Sequence, residues 1–231
     1  MGDYDAFAPI YDRFSAAMTE DVDFYVGLAE EADGPVVELA VGTGRIAIPI
    51  VERTGRRVIG IDTSSGMLAL ARQKASDAGV ELELREGDMR ELALGEPTDL
   101  VICPFRAMLH LPTHDARVEV MRRVATALVP GGRFSWNAFV FDPAIAAEIG
   151  GIWRDENGIR NRSTYDAAER RIDLELEGGA TVPLWWVERE EWEAAIAEAG
   201  LEVEALYGWF DGREFGPDSS EMVWLARKRS T

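Results

Sequence analysis

Cysteine, histidine and lysine are scarce in this sequence of 231 residues. Cys103 is the only cysteine, so no disulfide can form within the chain. His110 and His114 are the only histidines, and with Cys103 they give too few ligands for a zinc cage of Cys and His. We therefore expect neither a disulfide nor a structural zinc site.

Long apolar runs are also missing, since no stretch approaches the roughly 20 residues that span a bilayer. The first residues, Met1-Gly2-Asp3-Tyr4-Asp5, lack the basic and then apolar segments of a secretory signal. The expected compartment is therefore the cytoplasm.

Basic residues are few relative to acidic ones, at 24 Lys and Arg against 42 Asp and Glu, giving a formal net charge of −18. Such a charge repels phosphate backbones and anionic lipid, so we expect neither nucleic acid nor membrane as a partner. Hydrophobic residues make up 47% of the sequence, which at this length favours one packed domain.

A strand, a glycine turn and a helix start are predicted in succession over residues 36–50. Residues 36–41 form a short apolar run typical of a buried parallel strand, and Gly42 and Gly44 permit a tight turn after it. About twenty residues beyond Gly42, a second apolar run ends in Asp62, where a carboxylate can accept the hydroxyls of an adenosine ribose. This pattern predicts a nucleoside-containing ligand at the turn.

Two ligand classes fit that pattern. The run Gly42-Thr43-Gly44-Arg45-Ile46-Ala47 matches the dinucleotide pattern G-x-G-x-x-G/A, so an NAD(P)-binding oxidoreductase is one alternative. A nicotinamide enzyme needs groups for hydride transfer, and no tyrosine-lysine pair is evident, since Lys74 and Lys228 are the only lysines.

The wider sequence around the turn resembles another family. Glu38-Leu39-Ala40-Val41-Gly42-Thr43-Gly44 is similar to the D/E-x-G-x-G-x-G turn of class I S-adenosylmethionine-dependent methyltransferases, with Ala40 in place of the usual first glycine. Gly87-Asp88-Met89 and the run Leu-Val-Pro-Gly-Gly-Arg-Phe at 128–134 resemble further segments of that family. The opening Tyr-Asp-Ala-Phe-Ala-Pro-Ile-Tyr-Asp at 4–12 resembles small-molecule members such as amino-sugar N-methyltransferases and glycine N-methyltransferase.

The resemblance implies an α/β fold with a doubly wound, Rossmann-like sheet of seven strands in the order 3-2-1-4-5-7-6, the last strand antiparallel. We expect one domain with an N-terminal helical lid at 1–33, a cofactor-binding core at 34–140, an antiparallel flap at 141–187, and a closing helix and terminal hairpin at 188–231. Alternating polar and apolar residues predict flap strands at 162–176 and 180–187, separated by Glu177-Gly178-Gly179.

The resemblance also implies S-adenosyl-L-methionine as the cofactor, with Asp62 holding the ribose, Asp88 the adenine and Tyr11 facing the methyl donor. The full set of expected cofactor residues is Tyr11, Glu38, Ala40, Gly42, Thr43, Gly44, Asp62, Thr63, Met67, Asp88, Met89, Cys103 and Phe105.

The acceptor site is expected beyond the fourth strand, which ends at residue 105 and points at the crevice of the sheet. His110 resembles a histidine of the amino-sugar N-methyltransferases and is expected, with Arg106 and Tyr11, to act on the acceptor as an orienting group or a base. No Asp or Glu follows that strand before Asp115, so we expect no catalytic metal. The expected acceptor-binding residues are Arg106, His110, Asn137, Phe139, Trp153, Trp185 and Trp209.

The sequence therefore predicts a metal-independent methyltransferase that acts on the nitrogen or oxygen of a small organic molecule. The NAD(P)-binding oxidoreductase and a non-catalytic protein that binds S-adenosylmethionine remain the alternatives. The flap is expected either to bind the acceptor or to form a homodimer interface.

Overall fold

The computed structural model describes residues 4–177 and 179–230. Two sequence-based expectations fall partly outside the described residues. They concern residues 1–3 of the segment that lacks a secretory signal and Gly178 of the predicted flap turn. Over the described ranges, two sheets form, one of seven strands and one of four.

The seven-stranded sheet has the predicted architecture. Its neighbouring strands follow the order β10-β11-β5-β4-β1-β2-β3, and β11 pairs antiparallel with both β5 and β10 while the other pairs are parallel. The predicted order 3-2-1-4-5-7-6 is therefore confirmed. Its strands are β1 (Val36–Leu39), β2 (Val58–Asp62), β3 (Glu83–Glu86), β4 (Thr98–Cys103), β5 (Leu128–Phe139), β10 (Leu201–Tyr207) and β11 (Glu221–Lys228).

Helices cover both faces of this sheet. Side chains of a strand alternate between faces: Val37 packs with residues of α5 and α7, and Val36 packs with residues of α2 and α3. The helices are α1 (Tyr4–Ser15), α2 (Glu20–Glu31), α3 (Ala47–Thr54), α4 (Ser65–Ala78), α5 (His114–Ala127), α6 (Pro143–Ile149) and α7 (Arg189–Glu198), with 3₁₀ turns at Met89–Glu91 and Ala107–His110.

Local signals account for most helix ends. Ser64 accepts a hydrogen bond from the backbone N–H of Met67 at 3.1 Å and begins α4, and Gly79 ends it with a φ of +70°. Two helices, α1 and α2, precede the first strand, in the segment expected to be helical. The short α6 was not predicted, although Asp142 is an N-cap that accepts from two backbone N–H groups and Pro143 follows it.

The flap has four antiparallel strands, β6 (Arg154–Glu156), β7 (Ile159–Asp166), β8 (Arg171–Leu176) and β9 (Thr181–Trp185), in the order β6-β7-β8-β9. The prediction of one strand over 162–176 was wrong, because Asp166 accepts hydrogen bonds from the N–H groups of Ala168 and Glu169 and turns the chain. The strand β6 was missed, although Asn157-Gly158 is a strong hairpin signal and both residues have positive φ.

Three tryptophans belong to the core. Trp136 stacks on Trp224 with ring centroids 5.8 Å apart and also contacts Trp192, and all three are fully buried. The large apolar area that these three rings bury stabilises the packing of α7 against the sheet. Among the described residues, no helix is long and apolar enough to cross a membrane.

Candidate active site

A cavity of about 320 Å³ opens at the carboxyl ends of β1, β2 and β4, where open α/β sheets bind ligands. The helix α1 covers it on one side and the flap strands β8 and β9 on another. Twelve of the residues predicted from sequence line this one cavity, namely Tyr11, Ala40, Gly42, Asp62, Thr63, Met67, Asp88, Met89, Phe105, Arg106, His110 and Trp185.

The glycine turn brings the backbone to the cavity floor. Gly42 and Gly44 have φ of +55° and +80°, and Ala40 has φ of +53°. Ala40 thus adopts the left-handed conformation that glycine takes more readily. This backbone conformation is a physical reason for the glycine that the family usually has at this position. The turn is built for close approach of a ligand to the backbone.

The carboxylate of Asp62 is fixed by backbone donors from two loops. The N–H of Gly42 donates to Oδ2 at 2.8 Å, and the N–H of Ser64 donates to Oδ1 at 2.9 Å. Two carboxylate oxygens held in this way suit a ligand with two adjacent hydroxyl groups. Burial raises the pKa of Asp62 above its usual range, although these hydrogen bonds act in the opposite direction.

The repeated Tyr-Asp pairs of α1 attach the helix to both loops. Asp5 accepts from Ser64 Oγ at 2.6 Å and from the Gly66 N–H at 2.9 Å. Asp12 accepts from Thr43 Oγ1 at 2.5 Å and from Lys74 Nζ at 2.9 Å. The spacing of seven residues is about two helical turns, so both aspartates lie on one side of α1.

The accompanying tyrosines, Tyr4 and Tyr11, line the cavity. The Tyr11 ring packs edge-on against Phe105, and an added Cβ on Gly42 would lie 3.8 Å from it. Burial raises the pKa of Tyr11 to about 12, so its hydroxyl stays protonated at neutral pH.

His110 is held between α1 and the flap. Its Nδ1 lies 2.9 Å from the carbonyl oxygen of Pro183, and its Nε2 lies 2.6 Å from the hydroxyl of Tyr4. Because a carbonyl only accepts, Nδ1 carries the hydrogen, and the Tyr4 hydroxyl then donates to Nε2. Burial lowers the pKa of His110 to about 4, so the ring is neutral at physiological pH.

The loop after β4 is strained. Phe105 and Arg106 are consecutive non-glycine residues with positive φ, at 55° and 64°. Such conformations cost on the order of 1–2 kcal/mol each and cluster at functional sites. The Arg106 guanidinium makes a bidentate pair with the buried carboxylate of Glu221, at 3.1 and 2.7 Å, and Glu221 also accepts from Asn137 Nδ2 at 2.6 Å.

The carboxylate of Asp88 accepts hydrogen bonds from Arg90. Arg90 donates through its backbone N–H at 2.8 Å and through its guanidinium at 2.5 Å, and this pair lowers the pKa of Asp88. Both side chains line the cavity. A ligand amine at this position therefore shares the Asp88 carboxylate with Arg90.

Four expected cofactor residues lie behind the cavity wall. Cys103 is fully buried under it, Thr43 bonds to Asp12, and Gly44 shapes the turn. Glu38 is buried, burial raises its pKa, and its Oε2 makes no hydrogen bond among the described residues. Glu38 thus retains a lone pair for an N–H donor, and the other three act through the backbone or through packing.

Four expected acceptor residues are also placed away from this cavity, and one of them, Phe139, lies under the Arg106 guanidinium, 5.5 Å from the ring centroid. Asn137 is buried behind Arg106, and Trp209 packs with Phe210 in the core beside α2. Trp153 is 38% exposed and lies under the guanidinium of Arg162, 4.9 Å from the ring centroid. Trp209 and Trp153 therefore do not line the described cavity, because core packing and flap packing hold them elsewhere.

Sequence reasoning missed several residues of the site. Tyr4 was noted only as part of a repeat, and Pro183 and Glu221 carried no signal because their roles arise from contacts distant in sequence. The Tyr-Asp repeat was the signal for Tyr4, since seven residues place both tyrosines on one side of a helix.

Comparisons with known proteins identify the kind of protein to which the chain is similar. A family described as "Methyltransferase domain" matches residues 36–132, which include the glycine turn, Asp62, Asp88 and His110. The chain is 31% identical to demethylmenaquinone methyltransferase of Thermus thermophilus over 65% of this chain and 70% of that protein. It is 29% identical to dTDP-3-amino-3,6-dideoxy-alpha-D-glucopyranose N,N-dimethyltransferase of Streptomyces fradiae, over 77% of this chain and 74% of that protein.

One solved structure is similar over nearly the whole chain. The CcbJ methyltransferase of Streptomyces caelestis matches with a TM-score of 0.74 and 27% identity, covering 92% of this chain and 94% of that chain. The similarity therefore extends well beyond residues 36–132.

Proposed function

The chain belongs to the S-adenosylmethionine-dependent methyltransferases, and on that premise we propose that it methylates a nitrogen or oxygen atom of a small organic molecule without a metal ion. The observation that supports this most is that Asp62, the glycine turn and the pair Tyr4–His110 line a single cavity. A donor site and an acceptor site must adjoin in this way for direct transfer.

The residues around the turn fit S-adenosylmethionine. Asp62 offers two fixed oxygen atoms to the ribose hydroxyls, and Met67 and Met89 offer apolar contacts beside it. The backbone of the glycine turn lines the cavity and suits the methionine part of the cofactor, which carries an amino group. Glu38 lies behind this backbone, and its orphaned Oε2 supports the turn as an acceptor for an N–H donor. When bound, the cofactor would supply an electrophilic methyl group on a sulfonium. A nucleophile of the acceptor would attack that methyl carbon in line, and S-adenosylhomocysteine would be the leaving group.

His110 acts on the acceptor through Tyr4 in this proposal. Its Nε2 is occupied by the Tyr4 hydroxyl, and with a pKa of about 4 it is a weak base at neutral pH. The oxygen of Tyr4 has free lone pairs that accept an N–H or O–H of the acceptor and so orient the nucleophile. The cover formed by α1 and the flap excludes water from the reacting atoms.

This arrangement favours a nucleophile that arrives with a free lone pair, such as a neutral amine, over a hydroxyl that must lose a proton. One relative points the same way, since its name describes N,N-dimethylation of a dTDP-linked amino sugar. The proton that an amine sheds after methylation goes to solvent once the product leaves, so no base inside the cavity is required.

The test is a screen of small primary and secondary amines, phenols and alcohols with radiolabelled S-adenosylmethionine, with and without EDTA. We expect transfer to amines before hydroxyl compounds, and unchanged rates in EDTA. Activity that disappears with EDTA and returns with magnesium contradicts the proposed metal independence. Transfer confined to carbon atoms contradicts the proposed target atoms.

A further inference from the structure

A second cavity, of about 280 Å³, adjoins the reaction cavity. Phe14, Arg106, Leu174 and Leu184 line both, so the two spaces lie on either side of the same side chains. The Arg106 guanidinium is fixed there by Glu221 and lies over the Phe139 ring at 5.5 Å from its centroid. The partition between the cavities is therefore held in place by an ion pair whose carboxylate is buried and whose guanidinium is partly exposed.

The reaction cavity is small for its task. Its volume of about 320 Å³ is at the lower end of the roughly 300–1,000 Å³ found for small-molecule sites. In the proposed function it holds the cofactor together with the reacting end of the acceptor. Any larger acceptor must extend beyond it, and the second cavity is the adjoining space.

The walls of the second cavity are of two kinds. Some lining residues are apolar or aromatic, with Phe139, Phe141 and Ile172 among them. Others come from the paired flap strands β6 and β7, where Arg154 is in register with Asn161. A ligand in this space meets apolar and aromatic side chains together with a guanidinium.

Arg154 has unused capacity for a hydrogen bond. Its Nε is buried and makes no hydrogen bond among the described residues. The carboxylate of Glu156 is 4.0 Å from its Nη2, beyond hydrogen-bond distance, and is half-exposed. Asp142 also lines the cavity, but its Oδ1 accepts from the N–H groups of Ala144 and Ile145 at the start of α6.

The mouth of this cavity is apolar. Val140 and Ile145 line it and are 37% and 53% exposed, and Ile152 and Trp153 are exposed in the following segment. Exposed apolar side chains gathered in one segment mark a site of contact with a ligand or partner. Because the second cavity shares lining residues with the reaction cavity, the acceptor is the occupant that fits.

From these observations, and resting on the proposed function, we propose that the second cavity binds the distal part of the acceptor. That part has an apolar or aromatic body and an anionic oxygen group, which the Arg154 guanidinium binds by a charge-assisted hydrogen bond. The acceptor is thus an elongated molecule with its nucleophile at one end and its anionic group at the other.

The test uses two fluorescent probes that share one aromatic body. They are 8-anilinonaphthalene-1-sulfonate, which carries an anionic oxygen group, and the uncharged N-phenyl-1-naphthylamine. Binding is measured on the full chain saturated with S-adenosylhomocysteine, so that the reaction cavity is occupied. We expect Arg154→Gln to weaken the sulfonate probe about tenfold and to change the uncharged probe less than twofold, as loss of one charge-assisted bond predicts.

A second variant and a matched control complete the test. Ser163→Phe, which places a large ring in the second cavity, should weaken both probes. Arg160→Gln changes an arginine of the same sheet that pairs with Glu177 on the exposed side, and should affect neither. Sulfonate binding that Arg154→Gln leaves unchanged overturns the proposal, and so does binding of both probes that survives Ser163→Phe.

The acceptor assay separates this proposal from the proposed function. Among amines methylated in the screen, those with a distant carboxylate should have a kcat/KM that Arg154→Gln lowers about tenfold, and matched alkylamines should not. Equal loss for both kinds of amine overturns the assignment of the anionic group and leaves methyl transfer itself intact. Failure of the wild-type protein to bind S-adenosylmethionine in calorimetry would contradict the proposed function, and it is measured separately from the effect of Arg154→Gln.

Discussion

The hydroxyl of Tyr4 donates a 2.6 Å hydrogen bond to Nε2 of His110, joining residues 106 positions apart. The ring planes meet nearly at right angles, 88°, with centroids 5.3 Å apart. The contact ties the covering helix α1 to the loop after β4, and the Pro183 carbonyl ties the same imidazole to the flap. The His110 side chain therefore contributes both to closure of the cavity and to the orientation of its polar groups.

Substitutions at this pair should distinguish an orienting role from a base. We expect Tyr4→Phe and His110→Ala each to lower turnover about tenfold, with donor affinity within twofold, because each removes the same oriented hydrogen bond. The double variant should lose no more than Tyr4→Phe alone, since the two side chains act as one unit. These rates are measured with the acceptor found in the screen, and donor affinity by calorimetry.

The opposite result has a clear signature. If His110 removes a proton from the acceptor, His110→Ala should cost about 10²-fold or more and exceed the effect of Tyr4→Phe. Unchanged turnover in both variants removes the pair from the acceptor site.

Stability should fall with acidity in a way that depends on His110. Its folded pKa of about 4 lies below its unfolded value of 6.5, so below pH 6.5 the unfolded chain binds a proton that the folded chain excludes. The resulting stability is complete above pH 6.5 and is lost as the pH falls toward 4. Between pH 7.5 and pH 5 the loss should be about 2 kcal/mol.

The measurement is urea unfolding of the wild type and His110→Gln at both pH values. His110→Gln should lose about 2 kcal/mol less than the wild type on acidification, because glutamine does not titrate. Equal losses in the two proteins show that the folded pKa of His110 is near its usual value.

The parts of the site that follow from local sequence were predictable. Gly42 and Asp62 were identified because a strand, a glycine turn and a carboxylate about twenty residues further on match a known nucleoside-binding pattern. The strand order followed from the resemblance, and the alternation of strands and helices supported its parallel part independently. The hairpin at Asn157-Gly158 was also readable from its dipeptide, so that miss was avoidable.

The remaining parts depend on packing between distant segments. No local pattern shows that Arg106 pairs with Glu221, 115 positions away, or that Trp209 packs against Phe210 instead of a ligand. Hydrophobic periodicity identifies an aromatic side chain as apolar and does not say which of two apolar surfaces it contacts. The second cavity arises between the flap and β5 and is likewise beyond local reasoning.

Asp62 should be essential for donor binding. Asp62→Ala removes a partly buried carboxylate that accepts from backbone N–H groups and, in the proposed function, from the ribose hydroxyls. Loss of a buried charged acceptor costs about 2 kcal/mol, which corresponds to roughly 30-fold weaker binding of S-adenosylmethionine. Calorimetry with Asp23→Ala as the control is decisive, because Asp23 is an exposed aspartate paired only at the surface with Arg53.

A loss in Asp62→Ala of less than threefold, with the fold intact by circular dichroism, argues against its role as the ribose ligand. Binding of NAD that depends on Asp62 while S-adenosylmethionine does not bind would contradict the cofactor fit.

The helix α1 should act as a cover that slows exchange of the cofactor. Asp5 attaches it to the loop after β2, and Asp12 attaches it to the loop after β1. The combined substitution Asp5→Ala and Asp12→Ala removes both attachments while keeping residues that favour a helix. We expect S-adenosylhomocysteine to dissociate about tenfold faster, because several charge-assisted hydrogen bonds that hold the cover closed are lost.

Stopped-flow displacement measures that rate, and limited proteolysis reports whether α1 opens. Arg13→Gln is the matched control, since Arg13 is an exposed residue of the same helix outside the cavity lining. Faster dissociation together with cleavage within α1 supports a cover that opens as a unit. A dissociation rate equal to that of the wild type means that the cofactor exchanges by another route, and α1 then serves only to position Tyr4 and Tyr11.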